Sequence, residues 1–268
     1  MRHPPAGWAP KVVALDVDGT LLDWVDDHEV MSTAVVNAVQ RARTAGAYVV
    51  ISTGRSVPGV LDAAEMLELD SGLCVASNGA VVFDHPPFDL VHTVTFDASK
   101  AVEELLQHVP DAAVAVEDIG VGYRINKAFP DGEIQGELVL QSVEELVAEP
   151  VTRVIIRSPG ASAEEFAELA EGLGLQGTNY YVGYTAWLDL APTGVSKASG
   201  LQVVVDRLGV QPNDVLAIGD GNNDVEMLRW AGRGVAMGQA PLDVQSAADD
   251  VTESVENNGV VRELARWF

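Results

Sequence analysis

Two aspartates, Asp16 and Asp18, stand two residues apart in the run Lys11-Val-Val-Ala-Leu-Asp16-Val-Asp18-Gly19-Thr20, where an apolar stretch gives way to a glycine. In an extended chain both carboxylates point the same way, and Gly19-Thr20 lets the backbone turn sharply beside them. Two like charges so close resist joint ionisation unless a cation lies between them or one keeps its proton. A nucleophile and a general acid that work with magnesium satisfy both conditions. Two plainer readings fit less well. As a hairpin turn, Asp-Gly would need a partner strand that Leu21 and Leu22 do not clearly begin. A calcium loop counted from Asp16 would need Gly and Glu where Leu21 and Asp27 stand.

A second acidic group, Gly219-Asp220-Gly221-Asn222-Asn223-Asp224, follows the apolar run VLAI and precedes the helical pattern VEMLRWA. Asp220 then stands at a strand tip and Asp224 in the first turn of the next helix, so both can face one cleft. Carboxylates at strand ends suit magnesium, which prefers hard oxygens and keeps several waters. Taken alone the segment is also an ordinary Asn-Asp turn with a helix cap. Lys197, one of only four lysines, opens a helix after Pro192-Thr193-Gly194-Val195-Ser196. Lysine there opposes the helix dipole unless an anion is near. Ser52-Thr53-Gly54-Arg55 and Ser77-Asn78-Gly79-Ala80 end two further strand candidates, and each alone reads as a turn.

These segments need a scaffold that gathers strand tips. VVAL, without polar alternation, reads as a strand buried on both faces in a parallel sheet, whose carboxyl end is where such sheets bind ligands. Strand and helix candidates alternate from the start: strand 11–16, helix 30–45, strand 47–52, helix 57–69, strand 73–76. After DHPPFDL the candidates become shorter and mixed (90–96, 100–108, 112–116, 151–157, 162–173, 179–189). From Thr193 the first rhythm returns, with helix 195–208, strand 214–219, helix 223–231, strand 234–237, helix 240–248 and a last helix at 258–267. The order predicts an α/β core, 11–85 and 189–268, interrupted by an inserted α/β domain, 86–188, with residues 1–10 a loose tail.

The 268 residues, 47% hydrophobic and 21% charged, can bury a sizeable core. No apolar stretch is long enough for a membrane helix, and the start (MRHPPAGWAP) has proline where a signal peptide needs apolar residues. A cytoplasmic location is expected. The single cysteine, Cys74, reads as a small buried hydrophobe, and no internal disulfide is possible. A net charge of −24 argues against nucleic acid and anionic membranes as partners and leaves an anionic substrate to a metal and a few placed cations. No exposed heptad or isolated apolar face speaks to an oligomeric state.

Taken in order, DVDGT, STGR, SNGA, GVSK and GDGNND resemble the motifs of haloacid-dehalogenase-superfamily phosphatases, most closely the Cof-type sugar-phosphatase branch. The resemblance covers about 11–83 and 189–268, including AMGQA at 236–240 and Asn258-Gly259-Val260. It implies a Rossmann-like parallel-sheet core, an inserted α/β cap and magnesium-dependent hydrolysis of small phosphorylated metabolites such as sugar phosphates. Asp16 would be the nucleophile that becomes an aspartyl phosphate, and Asp18 the general acid and base. Thr53 and Lys197 would hold phosphate oxygens. Magnesium would take Asp16, the Asp18 carbonyl, Asp220 and, directly or through water, Asp224. Asn223 would touch the phosphate, Asn78 and Arg55 would support the site from its edge, and Gly19, Thr20, Gly54 and Gly79 would join them in binding phosphate or substrate.

Chemistry agrees with the implied roles. A carboxylate needs no helper base at neutral pH, phosphoryl transfer depends on positioning and charge stabilisation, and an alkoxide leaving group needs a proton. The branch that forms ATPase pumps is similar but has threonine where Asp18 stands, which favours phosphoester hydrolysis here. Glu256-Asn257-Asn258-Gly259 departs slightly from relatives that have an acid just before the glycine.

In the inserted segment, Arg124, Arg153 and Arg157 read either as solvated strand charges or as contacts for a sugar or a second phosphate. Trp24 and Trp187 read as hinge packing or as sugar-stacking rings. His85, His92 and His108 lack metal-ligand spacing and read as surface residues. Two other functions fit the same scaffold: a phosphomutase, or a non-catalytic metabolite-binding module.

Overall fold

The computed structural model describes residues 5, 7–25, 28–130, 132–158, 162, 164–165, 168, 178–182 and 187–268. Contacts divide the chain into two compact units. Met1–Gly54, Val60–His92 and Ser196–Phe268 form the first, and Arg55–Gly59 with Thr93–Val195 form the second.

The first unit opens with β1 (Val12–Leu15), a short pair β2 (Asp23–Val25) and β3 (His28–Val30), helix α1 (Thr33–Thr44), β4 (Tyr48–Ile51), helix α2 (Val57–Met66, whose first turn groups with the second unit), β5 (Gly72–Ala76), β6 (Val81–His85) and β7 (Asp89–Thr93). The second carries α3 (Ser99–His108), β8 (Ala113–Asp118), β9 (Gly122–Ile125), β10 (Glu137–Leu140), α4 (Val143–Leu146), β11 (Val154–Arg157), β12 (Thr178–Val182) and β13 (Trp187–Pro192). The chain then returns through α5 (Lys197–Leu208), β14 (Val215–Gly219), α6 (Val225–Trp230), β15 (Arg233–Ala236), α7 (Leu242–Ala247), β16 (Asp250–Val251) and α8 (Gly259–Leu264).

The first unit is a Rossmann-like α/β core. Its sheet has the order β16-β15-β14-β1-β4, with every pair parallel. VVAL is the inner strand β1, its residues wholly buried, as an unalternated apolar run requires. Val12, Ala14 and Val50 pack with Val204, Val205, Val215 and Ala217 in one apolar cluster. Helix α1 starts where Ser32 Oγ accepts from the Val35 amide, and it buries Val35, Ala38, Val39 and Ala42, a helical period. Strand β5 meets this sheet through one parallel bridge, Ser52–Val75, and pairs antiparallel with β6.

The second unit is a six-stranded sheet of order β10-β9-β8-β11-β13-β12. Helices α3 and α4 cover one face through Val102, Leu105 and Leu146, packed on Val114, Val116, Val154 and Ile156.

Several sequence expectations change in detail. The candidate segment 179–189 holds parts of two strands, β12 and β13, and β13 pairs with both β11 and β12. Most of the candidate segment 162–173 lies outside the described residues. Within the stretch expected to be loose, the Trp8 indole donates to the Asn213 carbonyl at 2.8 Å and meets Trp267 edge-on. Among the described residues no helix is long and apolar enough to cross a membrane.

Candidate active site

In the first unit, strands β1 and β14 run side by side and release their chains at the same end, since Leu15 pairs with Ile218. Asp16 follows β1 and Asp220 follows β14, so the two carboxylates leave neighbouring tips of a parallel sheet, where such folds place ligands. The chain does not stay extended through Asp18. It turns at Val17, whose carbonyl accepts from the amides of Thr20, Leu21 and Leu22. Asp16 is therefore buried while Asp18 is exposed.

Gly19 makes this turn possible. Its φ is +72°, and a β-carbon there would come within 2.2 Å of an Asp220 carboxylate oxygen, so only glycine lets the two acidic loops meet. Gly79 does the same for Lys197. With φ of +101°, a β-carbon on it would fall 2.0 Å from the Ser196 carbonyl, immediately before the start of α5. Ser196 caps that helix, its Oγ accepting from the Ser199 amide, and so fixes Lys197 in the first turn.

Lys197 is fully buried, and its Nζ donates to Asp16 Oδ1 and to Asp224 Oδ1, both at 2.6 Å. The ammonium suspected of needing an anion has two. The other Asp224 oxygen accepts from the amides of Asp220 and Gly221, each at 2.9 Å, so this side chain shapes the loop that carries Asp220. Asp16, Asp220 and Asp224 can bring ligand oxygens within 4.8 Å of one another.

Burial, then the neighbouring Asp224, Asp220 and Asp18 carboxylates, hold the Asp16 carboxyl well above its ordinary range, with Lys197 opposing. Burial and Asp224 push Asp220 up to about 7. Burial alone would lower the Lys197 ammonium, but Asp16 and Asp224 reverse this and keep it charged. Three carboxylates against one ammonium leave a deficit of two positive charges, which a divalent cation matches. Hard oxygens at a strand end suit magnesium or a similar ion.

The supporting residues gather as well. The Thr53 amide donates to Val75, and its carbonyl accepts from Asn78 at 3.0 Å. Asn78 has φ of 53° and, after Ser77 at 51°, sits in the left-handed region, a conformation that costs energy outside glycine. Its Oδ1 accepts from Asn223 Nδ2 at 2.9 Å, joining SNGA to GDGNND, the third and fifth motifs. Gly54 lies against the Asn78 amide, and the Thr20 hydroxyl is buried with no partner among the described residues. Arg55, buried, groups with the second unit.

One further residue, without a role in the sequence reading, belongs here. Gln239 Nε2 donates to the Gly19 carbonyl and to Asp220 Oδ2 at 3.3 Å, while its Oε1 accepts from the Val255 amide at 3.0 Å. It ties together the loops that carry Asp18 and Asp220. The only signal was its place in AMGQA.

In the second unit, Arg153 and Arg157 are not solvated strand charges. Arg153 is buried, its guanidinium gripping both oxygens of Asp189 at 2.8 and 2.9 Å and donating to the Tyr123 hydroxyl at 2.7 Å. Arg157 pairs with Glu133 at 3.0 Å. Arg124 is partly buried on β9. Trp187 packs edge-on against Phe129, whereas Trp24 is exposed rather than packed. Cys74 is buried, and burial raises its thiol to about 12, so it is inert. His92 and His108 are exposed and His85 partly so.

Comparison with known proteins follows the same lines. The model of a family described as haloacid dehalogenase-like hydrolase matches residues 13–264. Two 5-amino-6-(5-phospho-D-ribitylamino)uracil phosphatases of Bacillus subtilis are each 29% identical; one alignment covers 96% of this chain and 95% of the relative, the other 97% and 98%. A solved haloalkanoate-superfamily phosphatase from Bacteroides thetaiotaomicron is 29% identical, with a TM-score of 0.79 over 99% of this chain and 97% of that one. A subclass IIB sugar phosphatase of that superfamily shares the fold, with 24% identity and a TM-score of 0.80 over 96% of this chain and 98% of its own.

Proposed function

The chain belongs to the haloacid dehalogenase-like hydrolases, in the Cof-type branch, and from that membership we propose a magnesium-dependent phosphatase of small phosphorylated metabolites that works through an aspartyl phosphate on Asp16. The chain is a phosphoric monoester hydrolase. The observation that carries the mechanism is the buried Lys197 ammonium, held between Asp16 and Asp224 beside the Asp220 carboxylate.

In the first step an Asp16 carboxylate oxygen attacks phosphorus and the bond to the leaving oxygen breaks. Asp18, exposed beside the turn, delivers a proton to that oxygen. In the second step Asp18 takes a proton from water, which attacks the phosphoaspartate and frees Asp16 with inorganic phosphate. Lys197 offsets the charge on Asp16 and on the transferring group, where fixed cations are worth most in a water-poor site. Thr53 and Asn223 would hold phosphate oxygens, with Asn78 keeping Asn223 in place.

Magnesium, when bound, supplies Lewis-acid neutralisation of the phosphate dianion. Asp16, the Asp18 carbonyl and Asp220 would hold it. Both oxygens of Asp224 already accept hydrogen bonds, which favours its acting through water and through Lys197.

Sugar phosphates are the proposed substrates, and the ribityl phosphate named for the Bacillus relatives extends that class to phosphorylated sugar alcohols on a heterocycle. The test is phosphate release from sugar phosphates, that ribitylaminouracil phosphate, nucleotides, pyridoxal phosphate and flavin mononucleotide, with magnesium or with EDTA. Magnesium-dependent release that Asp16→Asn abolishes is expected. Release that survives EDTA or the substitution would overturn the proposal.

A further inference from the structure

Strand β10 forms one edge of the six-stranded sheet and pairs, in parallel, with β9. The amides of Glu137 and Gln141 donate inward, to Val121 and Ile125. In a ladder the inward groups fall on every second residue, so the N–H and C=O of Leu138 and Leu140 face away from the sheet. The side chains along this edge are apolar and open: Leu138 is 47% exposed, Val139 46% and Leu140 71%. Proteins usually blunt an edge with lysine, proline or a bulge. Leu138–Val139–Leu140 has neither lysine nor proline, and it pairs with β9 in unbroken register.

The edge also continues an internal pattern. Leu138 and Leu140 stand in register with Tyr123 and Ile125. Those two pack with Ala113, Ala115 and Ile155 on one face of the sheet. An apolar row therefore crosses the sheet and ends in water at Leu140.

We propose that this edge is a homodimer interface, in which β10 strands of two copies pair antiparallel about a twofold axis at Val139. That register sets Leu138 opposite Leu140 of the second copy, and the reverse. Each such pair can exchange both backbone hydrogen bonds, using the groups that point outward. Shifting by one residue would present inward-facing groups instead. Leucine then meets leucine on the face where the apolar row ends.

Charge suits the same register. Glu137 falls opposite Gln141 of the second copy, an amide facing a carboxylate, and the two Glu137 side chains do not confront each other. This matters in a chain with a net charge of −24. A four-residue edge makes a small interface, so association is weak, and salt strengthens it by screening repulsion between copies.

Sedimentation velocity on the full chain, from about 1 µM to about 1 mM in moderate salt, tests the interface across the range of weak association. The wild-type mass should rise toward that of two copies. Leu138→Lys with Leu140→Lys sets like charges opposite in both pairs and should hold the protein at the mass of one copy, with an unchanged circular dichroism spectrum and melting midpoint. Leu138→Glu with Leu140→Lys sets opposite charges face to face and should restore the dimer. A wild-type protein at single-copy mass throughout would overturn the interface, as would a double-lysine variant that still dimerises. A charge-swapped variant that stays single while the wild type dimerises would overturn the register.

Discussion

The Nζ of Lys197 lies 2.6 Å from Asp224 Oδ1, and both side chains are fully buried. With Asp16 as the second acceptor, the three groups form a buried chain of charges in which the lysine is the one cation. Removing one member of a buried ion pair strands its partner, at a cost of about 3–5 kcal/mol. Lys197→Met should lower stability on that scale and reduce kcat by at least about 100-fold, because a cation facing developing charge is lost. Asp224→Asn keeps an acceptor for the Asp220 and Gly221 amides and should melt higher than Asp224→Ala. Urea melts and steady-state kinetics check both.

Gln239 reaches Asp220 and the Gly19 carbonyl at once. Replacing it with leucine removes a hydrogen bond to a charged group, worth about 1.5–3 kcal/mol. The expected result is a kcat roughly tenfold lower and a higher magnesium concentration at half-maximal rate. A residue that merely packs would shift the melting midpoint and leave the magnesium dependence alone.

Crowding of Asp16 and Asp220 links metal binding to pH. In the metal-free protein these groups hold protons more tightly when folded than when unfolded, Asp220 rising from 3.8 to about 7. The folded state then binds more protons, so the stability of the metal-free protein falls as pH rises from about 4 through about 7. A divalent cation that replaces those protons should stabilise most above that window. Thermal melts should show a larger gain from magnesium at pH 8 than at pH 5, and equal gains would count against metal binding by these carboxylates.

The parallel core was legible because its strands are unalternated apolar runs and its helices keep a 3.6-residue period. VVAL and VLAI fall at β1 and β14 for that reason, and Asp16 and Asp220 follow them directly. Periodicity fails over three or four residues, so β2, β3, β9 and β10 escaped notice. The pairing of Arg153 with Asp189 joins residues 36 apart, and no local pattern announces it. Gln239 escaped for a related reason, since a loop glutamine has no period and its partners lie 19 and 220 residues away. The burial of Asp16 against the exposure of Asp18 depends on the turn at Val17, where an extended reading placed the two alike.

Acid quenching during turnover of the best substrate, followed by peptide mass spectrometry, addresses the nucleophile itself. A phosphoryl group on the peptide containing Asp16, assigned to that side chain and absent from Asp16→Asn, is the predicted result. Full turnover with no phosphorylated peptide at any quench time, and with Asp16→Asn still active, would show that water attacks the substrate directly and that Asp16 is not the nucleophile.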